Sequence, residues 1–178
     1  MKSLIGDNVL DELAQTAAKT PFGSIVEVGV YQGGSALRLY QVAREQSRFL
    51  YLYDTFEGIP FKDAVDAHAV GDFKDCSFHA IQSAFAGAVV TKGIFPASAV
   101  SMPPVAFAHL DCNQYKSVYE SIWYLAPRMV DGGILWLNDY GALAGATKAV
   151  EDLIPKHLLR QAGCGKTYAV TDHNFYLL

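Results

Sequence analysis

The sequence predicts an α/β fold with a mostly parallel β-sheet. Short apolar runs typical of buried strands alternate along the chain with segments whose apolar residues recur at helical spacing. The first such unit passes from an apolar stretch at 24–30 through a glycine-containing turn into a helical pattern that begins at Ser35. At the other end, two strand-like runs flank residues 171–173, and so tight a connection requires antiparallel strands.

The expected elements follow in chain order. Helices are predicted at 8–19, 35–47, 77–86, 116–129 and 143–160, and strands at 24–30, 49–53, 89–92, 105–110, 134–137, 167–170 and 174–178. In the first helix Leu10, Leu13 and Ala17 share one face, with Asp7 or Asn8 as the cap, and Pro21 follows its end.

The later helices and strands are predicted from the same kinds of pattern. In the helix at 116–129, Val118, Ile122, Leu125 and Met129 recur at the spacing of one buried face. Residues 131–133 read as a turn before the fifth strand. The stretch 57–75 has no such periodicity and is too long for a plain connection, so it is a functional loop or contains short helices. We expect it to fold over a small ligand.

Bulk composition limits the classes of function. The chain has 178 residues, which suggests one domain over 1–178 with a short N-terminal helix. It is 51% apolar with a net charge of −4, which argues against nucleic-acid binding. No apolar run is long enough to cross a bilayer, and no secretory signal is visible. Three cysteines without a C-x-x-C pair suit a reducing cytoplasm, which is the expected location.

Acids follow four of the five predicted parallel strands. Glu27, Asp54, Asp111 and Asp139 all lie at or next to a strand's carboxyl end. Because these ends meet at one edge of an open α/β sheet, where ligands bind, the pattern indicates a functional edge.

The turn after the first strand carries a G-x-x-x-G spacing at Gly29 and Gly33. Glycines here would let a ligand approach the backbone. The spacing differs from the G-x-G-x-x-G of dinucleotide sites, and the nearby Glu27 suits an ammonium or hydroxyl group better than a pyrophosphate. The other interpretation is an ordinary turn whose glycines allow close packing.

Asp54 ends the second predicted strand. A carboxylate at this position can accept hydrogen bonds from both hydroxyls of a ribose. The alternative is an Asp that stabilises a turn. Ser35, at the start of the next helix, is a natural cap as well as a candidate ligand contact.

Asp111, Asn138 and Asp139 end the fourth and fifth strands. Neighbouring strand ends are close in space, so these oxygens could converge on a hard cation such as Mg²⁺. The alternative is a set of polar caps. His109 is interpreted as a packed strand residue, whereas His68 in the long loop could reach a substrate as a base.

Several motifs occur in a fixed order between residues 25 and 151. They are Val26-Glu27-Val28-Gly29-Val30-Tyr31-Gln32-Gly33-Gly34-Ser35, Tyr53-Asp54-Thr55-Phe56-Glu57-Gly58-Ile59-Pro60, Gly71-Asp72-Phe73, His109-Leu110-Asp111-Cys112-Asn113-Gln114-Tyr115, Tyr124-Leu125-Ala126-Pro127-Arg128, Gly132-Gly133 and Asn138-Asp139-Tyr140-Gly141. With these motifs the chain resembles the macrocin O-methyltransferase family of S-adenosylmethionine-dependent enzymes.

The resemblance implies a Rossmann-like, seven-stranded class I methyltransferase sheet, mostly parallel with a C-terminal antiparallel hairpin. It implies methyl transfer to a hydroxyl of a sugar or other small natural product, with S-adenosylmethionine as cofactor and often Mg²⁺; a homo-oligomer is left open. The cofactor-binding residues expected are Glu27, Gly29, Tyr31, Gly33, Ser35, Asp54, Thr55, Phe56, Asp72 and Asp111. The expected catalytic residues are Asp111, Asn113 and Asp139, and the expected metal ligands are Asp111, Asn138 and Asp139.

The chain departs from the family pattern at two positions. Where the family usually has a second acid as general base in an Asp-x-Asp motif, this chain has Asn113. Where the family has Asp-Asp-Tyr, this chain begins with Asn138. These changes keep a second hypothesis open, a non-catalytic module that binds the cofactor. A nicotinamide-dependent oxidoreductase is a third, which the glycine spacing disfavours.

Overall fold

A single sheet forms the centre of the molecule in the computed structural model. The structure describes residues 1–153 and the backbone of 160–162 and 167–169. The parallel strands are β1 (Ser24–Val28), β2 (Leu50–Asp54), β3 (Val89–Lys92), β4 (Val105–Leu110) and β5 (Met129–Leu137). Their order across the sheet is β3-β2-β1-β4-β5. The mostly parallel α/β architecture predicted from the sequence is confirmed.

Helices cover both faces of this sheet. They are α1 (Asp7–Lys19), α2 (Gly34–Glu45), α3 (Phe78–Ala84), α4 (Tyr115–Leu125) and α5 (Ala144–Leu153). One apolar cluster packs α1, α2 and α3 against the sheet, and another packs α4 and α5 against the opposite face. Burial on both faces explains why the central strands are continuous apolar runs without alternation. Among the described residues, no helix has the length and apolar character to cross a membrane.

The sheet continues beyond β5 in antiparallel fashion. The short segments β6 (Arg160–Ala162) and β7 (Thr167–Ala169) pair with each other, and β7 pairs with β5. The sequence had predicted a helix up to 160 and a hairpin between 167–170 and 174–178. Arg160 instead begins a strand, and the described partners of Thr167–Ala169 are Arg160–Ala162 on one side and β5 on the other. Residues 170–178 lie outside the described part of the chain.

The predicted helix at 116–129 is too long at its carboxyl end. The helix α4 ends at Leu125, a 3₁₀ turn occupies Ala126–Arg128, and Met129 begins β5. Pro127 explains the change, because proline cannot donate the backbone hydrogen bond that a continuing helix requires. Residues 131–133, predicted as a turn, belong to β5 at an irregularity in its pairing with β4.

Arg48 links the carboxyl end of α1 to the residue before β1 by hydrogen bonds. The side chain is buried, and its Nε donates to the carbonyl oxygen of Gly23 at 2.6 Å. Its Nη1 donates to the carbonyl oxygen of Ala17 at 3.0 Å and to the hydroxyl of Thr20 at 3.2 Å. A cation at the end of a helix also interacts favourably with the helix dipole.

We predict that Arg48→Met lowers the free energy of unfolding by about 2 to 4 kcal/mol, because buried carbonyl groups lose charge-assisted hydrogen bonds. Urea denaturation measures the change. The exposed Arg44→Met serves as control and is expected to change stability by less than about 0.5 kcal/mol. Equal losses from the two substitutions would contradict the structural role given to Arg48.

Candidate active site

A cavity of about 510 Å³ opens at the carboxyl edge of the parallel strands. It extends from the turn after β1 to the residues that follow β5, and the long loop after β2 forms part of its wall. The residues from the sequence prediction that line it are Gly29, Tyr31, Ser35, Asp54, Thr55, Asp111, Asn113, Asn138 and Asp139. Those that do not line it are Glu27, Gly33, Phe56 and Asp72.

The carboxylate of Asp54 organises the turn beside it. Its Oδ2 accepts hydrogen bonds from the backbone N–H groups of Val30 and Tyr31, both at 2.8 Å. Its Oδ1 accepts one from the N–H of Phe56 at 2.7 Å. The turn-stabilising interpretation of Asp54 is therefore confirmed. The Thr55 hydroxyl also lies 3.5 Å from Oδ1, but it donates at the shorter distance of 2.7 Å to the carbonyl oxygen of Gly58. Because a carboxylate has about four acceptor positions, Oδ1 can accept from a ligand hydroxyl in place of this long contact.

The glycines of this turn face protein. Gly29 has a φ of +92°, and a Cβ at this position would collide with the backbone carbonyl of Asp111. Gly33 has a φ of +82°, and a Cβ there would lie 2.8 Å from the side chain of Ile81. The expectation that these glycines mainly make room for a ligand is corrected: both are required by backbone conformation and by close packing. Gly29 nevertheless lines the cavity.

Glu27 and His109 form a buried pair on neighbouring strands. Both side chains are fully buried, and Glu27 Oε1 lies 2.8 Å from His109 Nδ1. Burial alone would lower the pKa of His109, but the hydrogen bond and the charge of Glu27 outweigh it and raise the pKa. Glu27 Oε2 has no hydrogen-bond partner within the described structure. The packed role predicted for His109 is confirmed, whereas Glu27 lies behind the cavity wall.

Asp111, Asn138 and Asp139 come together as predicted. Asn138 Nδ2 donates to Asp111 Oδ1 and to Asp139 Oδ1, each at 3.3 Å. Burial raises the pKa of Asp111 to about 7, with His109 opposing and Asp139 reinforcing the shift. Burial also raises the pKa of Asp139. Two crowded carboxylates therefore retain protons more readily than exposed ones.

Three further predicted contacts have local structural roles. Tyr31 donates its hydroxyl hydrogen bond to Asp75 at 2.8 Å, and this bond raises the pKa of the phenol. Phe56 is buried with its ring against Phe78. Asp72 accepts from the N–H of Ala69 at 2.8 Å and does not line the cavity, so its role within the described residues is to stabilise the loop.

The long loop at 57–75 contains no helix and is tied to α4. Asp66 is buried, and its Oδ1 accepts from the N–H of Tyr115 at 2.7 Å, the first residue of that helix. Gln114 Nε2 donates to the carbonyl oxygens of Phe61 and His68 at 3.0 and 3.4 Å. These hydrogen bonds join the loop to the start of α4, and the loop contributes Ile59, Pro60, His68 and Phe73 to the lining of the cavity.

Some residues that line the cavity were not among the site residues predicted from the sequence. The segment before α1 lies beside the glycine turn, where Lys2 forms an isolated bridge with Gly33, and residues 2–6 line the cavity. Ile94 and Phe95 line it after β3, and Ser117 lines it from α4. Position after a strand end was the available signal for Ile94 and Phe95; no local pattern marks the others.

Comparisons with known proteins agree with this geometry. The family model described as Macrocin-O-methyltransferase (TylF) matches residues 2–162. A relative from Streptomyces olivaceus, named 8-demethyl-8-(2,3-dimethoxy-alpha-L-rhamnosyl)-tetracenomycin-C 4'-O-methyltransferase, is 28% identical over 153 residues, which cover 73% of this chain. The chain spans 57% of the length of that relative.

Two solved structures share the fold. The O-methyltransferase NovP superposes with a TM-score of 0.72 at 21% identity, over 96% of this chain and 82% of NovP. The calicheamicin methyltransferase CalS11 superposes with a TM-score of 0.70 at 18% identity, over 92% of this chain and 77% of CalS11. These likenesses show a Rossmann-like methyltransferase fold. With the family model matched over residues 2–162, the chain belongs to the macrocin O-methyltransferase family.

Proposed function

We propose that this protein transfers the methyl group of S-adenosylmethionine to a hydroxyl group of a sugar or a small natural product. The observation that carries the proposal is one cavity with two different halves. The turn after β1 and Asp54 form one half, and the pair Asp111 and Asp139 forms the other. A methyl transferase needs both a donor pocket and an adjacent acceptor pocket, because the reacting atoms must meet in line.

The donor half suits an adenosine bearing an amino-acid chain. Asp54 Oδ1 has capacity for a ribose hydroxyl, Ser35 lies at the start of α2, and Ile94 and Phe95 add apolar surface beyond β2. The donor supplies a methyl group made electrophilic by the positive charge of its sulfonium. Glu27 contributes a buried negative charge close to this half, although its carboxylate does not line the cavity.

The acceptor half is polar and partly enclosed. Asn113, Ser117 and Asn138 line it beside the two acids, and these groups can exchange hydrogen bonds with sugar hydroxyls. The curated relative is named for 4'-O-methylation of a rhamnosyl tetracenomycin, and one CalS11 structure is described as a TDP-rhamnose 3'-O-methyltransferase. We therefore propose a deoxyhexose of the rhamnose type as the first acceptor class to test.

The acid cluster does not match a strong Mg²⁺ site. The oxygens of Asp111 and Asp139 are ligands that Mg²⁺ prefers, but the third group is an amide whose nitrogen faces both carboxylates. No group of three or more His, Cys, Asp or Glu residues in the described residues is arranged to hold a metal.

The activity is tested with methyl-labelled S-adenosylmethionine and two sugars, TDP-L-rhamnose and methyl α-L-rhamnopyranoside. The expected product is a labelled methyl ether, detected by mass spectrometry. S-adenosylhomocysteine binding without transfer to either sugar would favour the non-catalytic module, for which Asn113 and Asn138 are the supporting residues. Stabilisation by NAD in place of S-adenosylhomocysteine would favour the oxidoreductase.

We predict that Asp54→Asn weakens S-adenosylhomocysteine binding about 10- to 100-fold, because a charged acceptor is lost. Calorimetry with the 2',3'-dideoxy analogue of S-adenosylhomocysteine, which lacks both ribose hydroxyls, distinguishes a ribose contact of Asp54 from its support of the turn. If Asp54 contacts the ribose, wild type discriminates between the two ligands and the variant does not. Undiminished discrimination in the variant would leave Asp54 with a structural role only. Asp11→Asn, on the exposed side of α1, is the matched control.

We predict that Asp111→Asn stabilises the ligand-free protein at pH 8 by about 1 to 2 kcal/mol, a value reduced because the side chain is not fully enclosed. The pKa of Asp111 in the folded protein, about 7, exceeds the unfolded value, so this group favours folding most at low pH. Its contribution is lost as the pH rises from about 4 to 7. The stability difference between Asp111→Asn and wild type is therefore expected to shrink as the pH falls from 8 to 4. Thermal unfolding of both proteins at pH 8 and at pH 4 measures it. A difference that does not change with pH would contradict the prediction.

A further inference from the structure

The proposed reaction releases a proton that needs an acceptor. A sugar hydroxyl becomes a better nucleophile when a base removes its proton during attack. Asn113, which replaces the acid usual for the family, cannot accept that proton. The inference below rests on the proposed function and concerns which side chain performs this step.

His68 faces the cavity from the long loop. Its side chain is about 30% exposed, and its ring packs edge-to-face against Phe73 with centroids 4.9 Å apart. The carbonyl oxygen of His68 accepts from Gln114 Nε2 at 3.4 Å, so the residue is tied to the start of α4. This anchorage places an imidazole in the same cavity as Asn113 and Asp139.

Asp72 lies beside this imidazole, at a distance suited to an ion pair and too long for a hydrogen bond. Its Oδ2 lies 3.8 Å from His68 Nδ1, and the N–H of Ala69 holds the same oxygen at 2.8 Å. A carboxylate facing one ring nitrogen favours a proton on that nitrogen and leaves the other, Nε2, as the basic one. The Asp72 side chain, which does not line the cavity, thereby acquires a role through His68.

A second acid lies near the imidazole. Asp139, which follows β5, lines the same cavity as His68. The acids near His68 are thus Asp72 from its own loop, 3.8 Å from Nδ1, and Asp139, which shares the cavity.

We propose that His68 is the general base of the reaction and that Asp72 is its positioning residue. The Nε2 lone pair takes the hydroxyl proton while an oxygen electron pair forms the new bond to the methyl carbon. The bond from that carbon to the donor sulfur breaks, and its electrons stay on sulfur, which becomes a neutral thioether. The imidazolium then releases its proton to water through the partly exposed face of the ring.

The test compares His68→Gln and Asp72→Asn with wild type in the rhamnose assay. General-base catalysis contributes about 10²- to 10⁴-fold, so His68→Gln is expected to lower kcat at least 100-fold. S-adenosylhomocysteine affinity, measured by calorimetry, is expected to stay within twofold. The acidic limb of the pH profile of kcat/KM disappears in His68→Gln and is retained in Asp139→Asn. Free imidazole partly restores transfer by His68→Gly.

The controls separate a base from a structural residue. His79→Gln alters an exposed histidine of α3 outside the cavity and is expected to leave kcat unchanged. Methyl transfer by His68→Gln at the wild-type rate overturns the inference. So does a pH profile of kcat/KM whose acidic limb is lost in Asp139→Asn and intact in His68→Gln. A large loss of S-adenosylhomocysteine affinity in His68→Gln also overturns it, because the residue then supports the donor pocket.

One measurement needs no turnover. The ring signals of His68 in NMR spectra are assigned by their absence in His68→Gln. They are expected to shift in Asp72→Asn, which removes the charge 3.8 Å from Nδ1, and in Asp139→Asn, which changes an acid that lines the same cavity. Unshifted signals overturn the arrangement of the three groups. Absence of methyl transfer by wild type to either sugar counts against the proposed acceptor class, so the failure of the function and of the inference are distinguishable.

Discussion

The active-site edge depends on the carboxylate of Asp54. It accepts three backbone hydrogen bonds, two from the turn after β1 and one from the turn after its own strand. Without it, the buried N–H groups of Val30 and Tyr31 would be unsatisfied, at a cost of about 1 to 3 kcal/mol each. The side chain that satisfies these backbone N–H groups therefore also lines the cavity. Its position is compatible with a structural role and with a binding role, so position does not distinguish them.

The sequence predicted the sheet and the gathering of acids because both follow from local patterns. Apolar runs marked the buried strands, and a strand end identifies the edge to which Asp54, Asp111 and Asp139 belong. Contacts between distant segments were not predictable in this way. Nothing near Gly29 in the sequence signals that its missing side chain accommodates the carbonyl of Asp111. Nothing near Glu27 shows that its partner is His109 on the next strand.

The two sides of the cavity are supported by different parts of the fold. The side proposed for the methyl donor is built from short turns whose backbone groups are held by one carboxylate. The side proposed for the acceptor depends on the long loop, which two hydrogen bonds tie to the start of α4. Gln114 Nε2 donates to the carbonyl oxygen of Phe61, and the N–H of Tyr115 donates to Asp66 Oδ1. Substitutions in the part of the loop that contacts α4 are therefore expected to change the proposed acceptor side. The end of the loop differs, because Phe73 and Asp75 contact Tyr31 in the turn after β1.

The contact between Gly29 and the carbonyl of Asp111 joins the two sides of the cavity by backbone alone. A contact of this kind has no side chain through which mutation could adjust the spacing, since any Cβ at position 29 forces the strands apart. The backbone approach at Gly29 thus sets the separation between the proposed donor side and the proposed acceptor side. If the proposed function holds, selectivity among acceptors is left to the side chains of the outer wall, around a separation that the backbone sets.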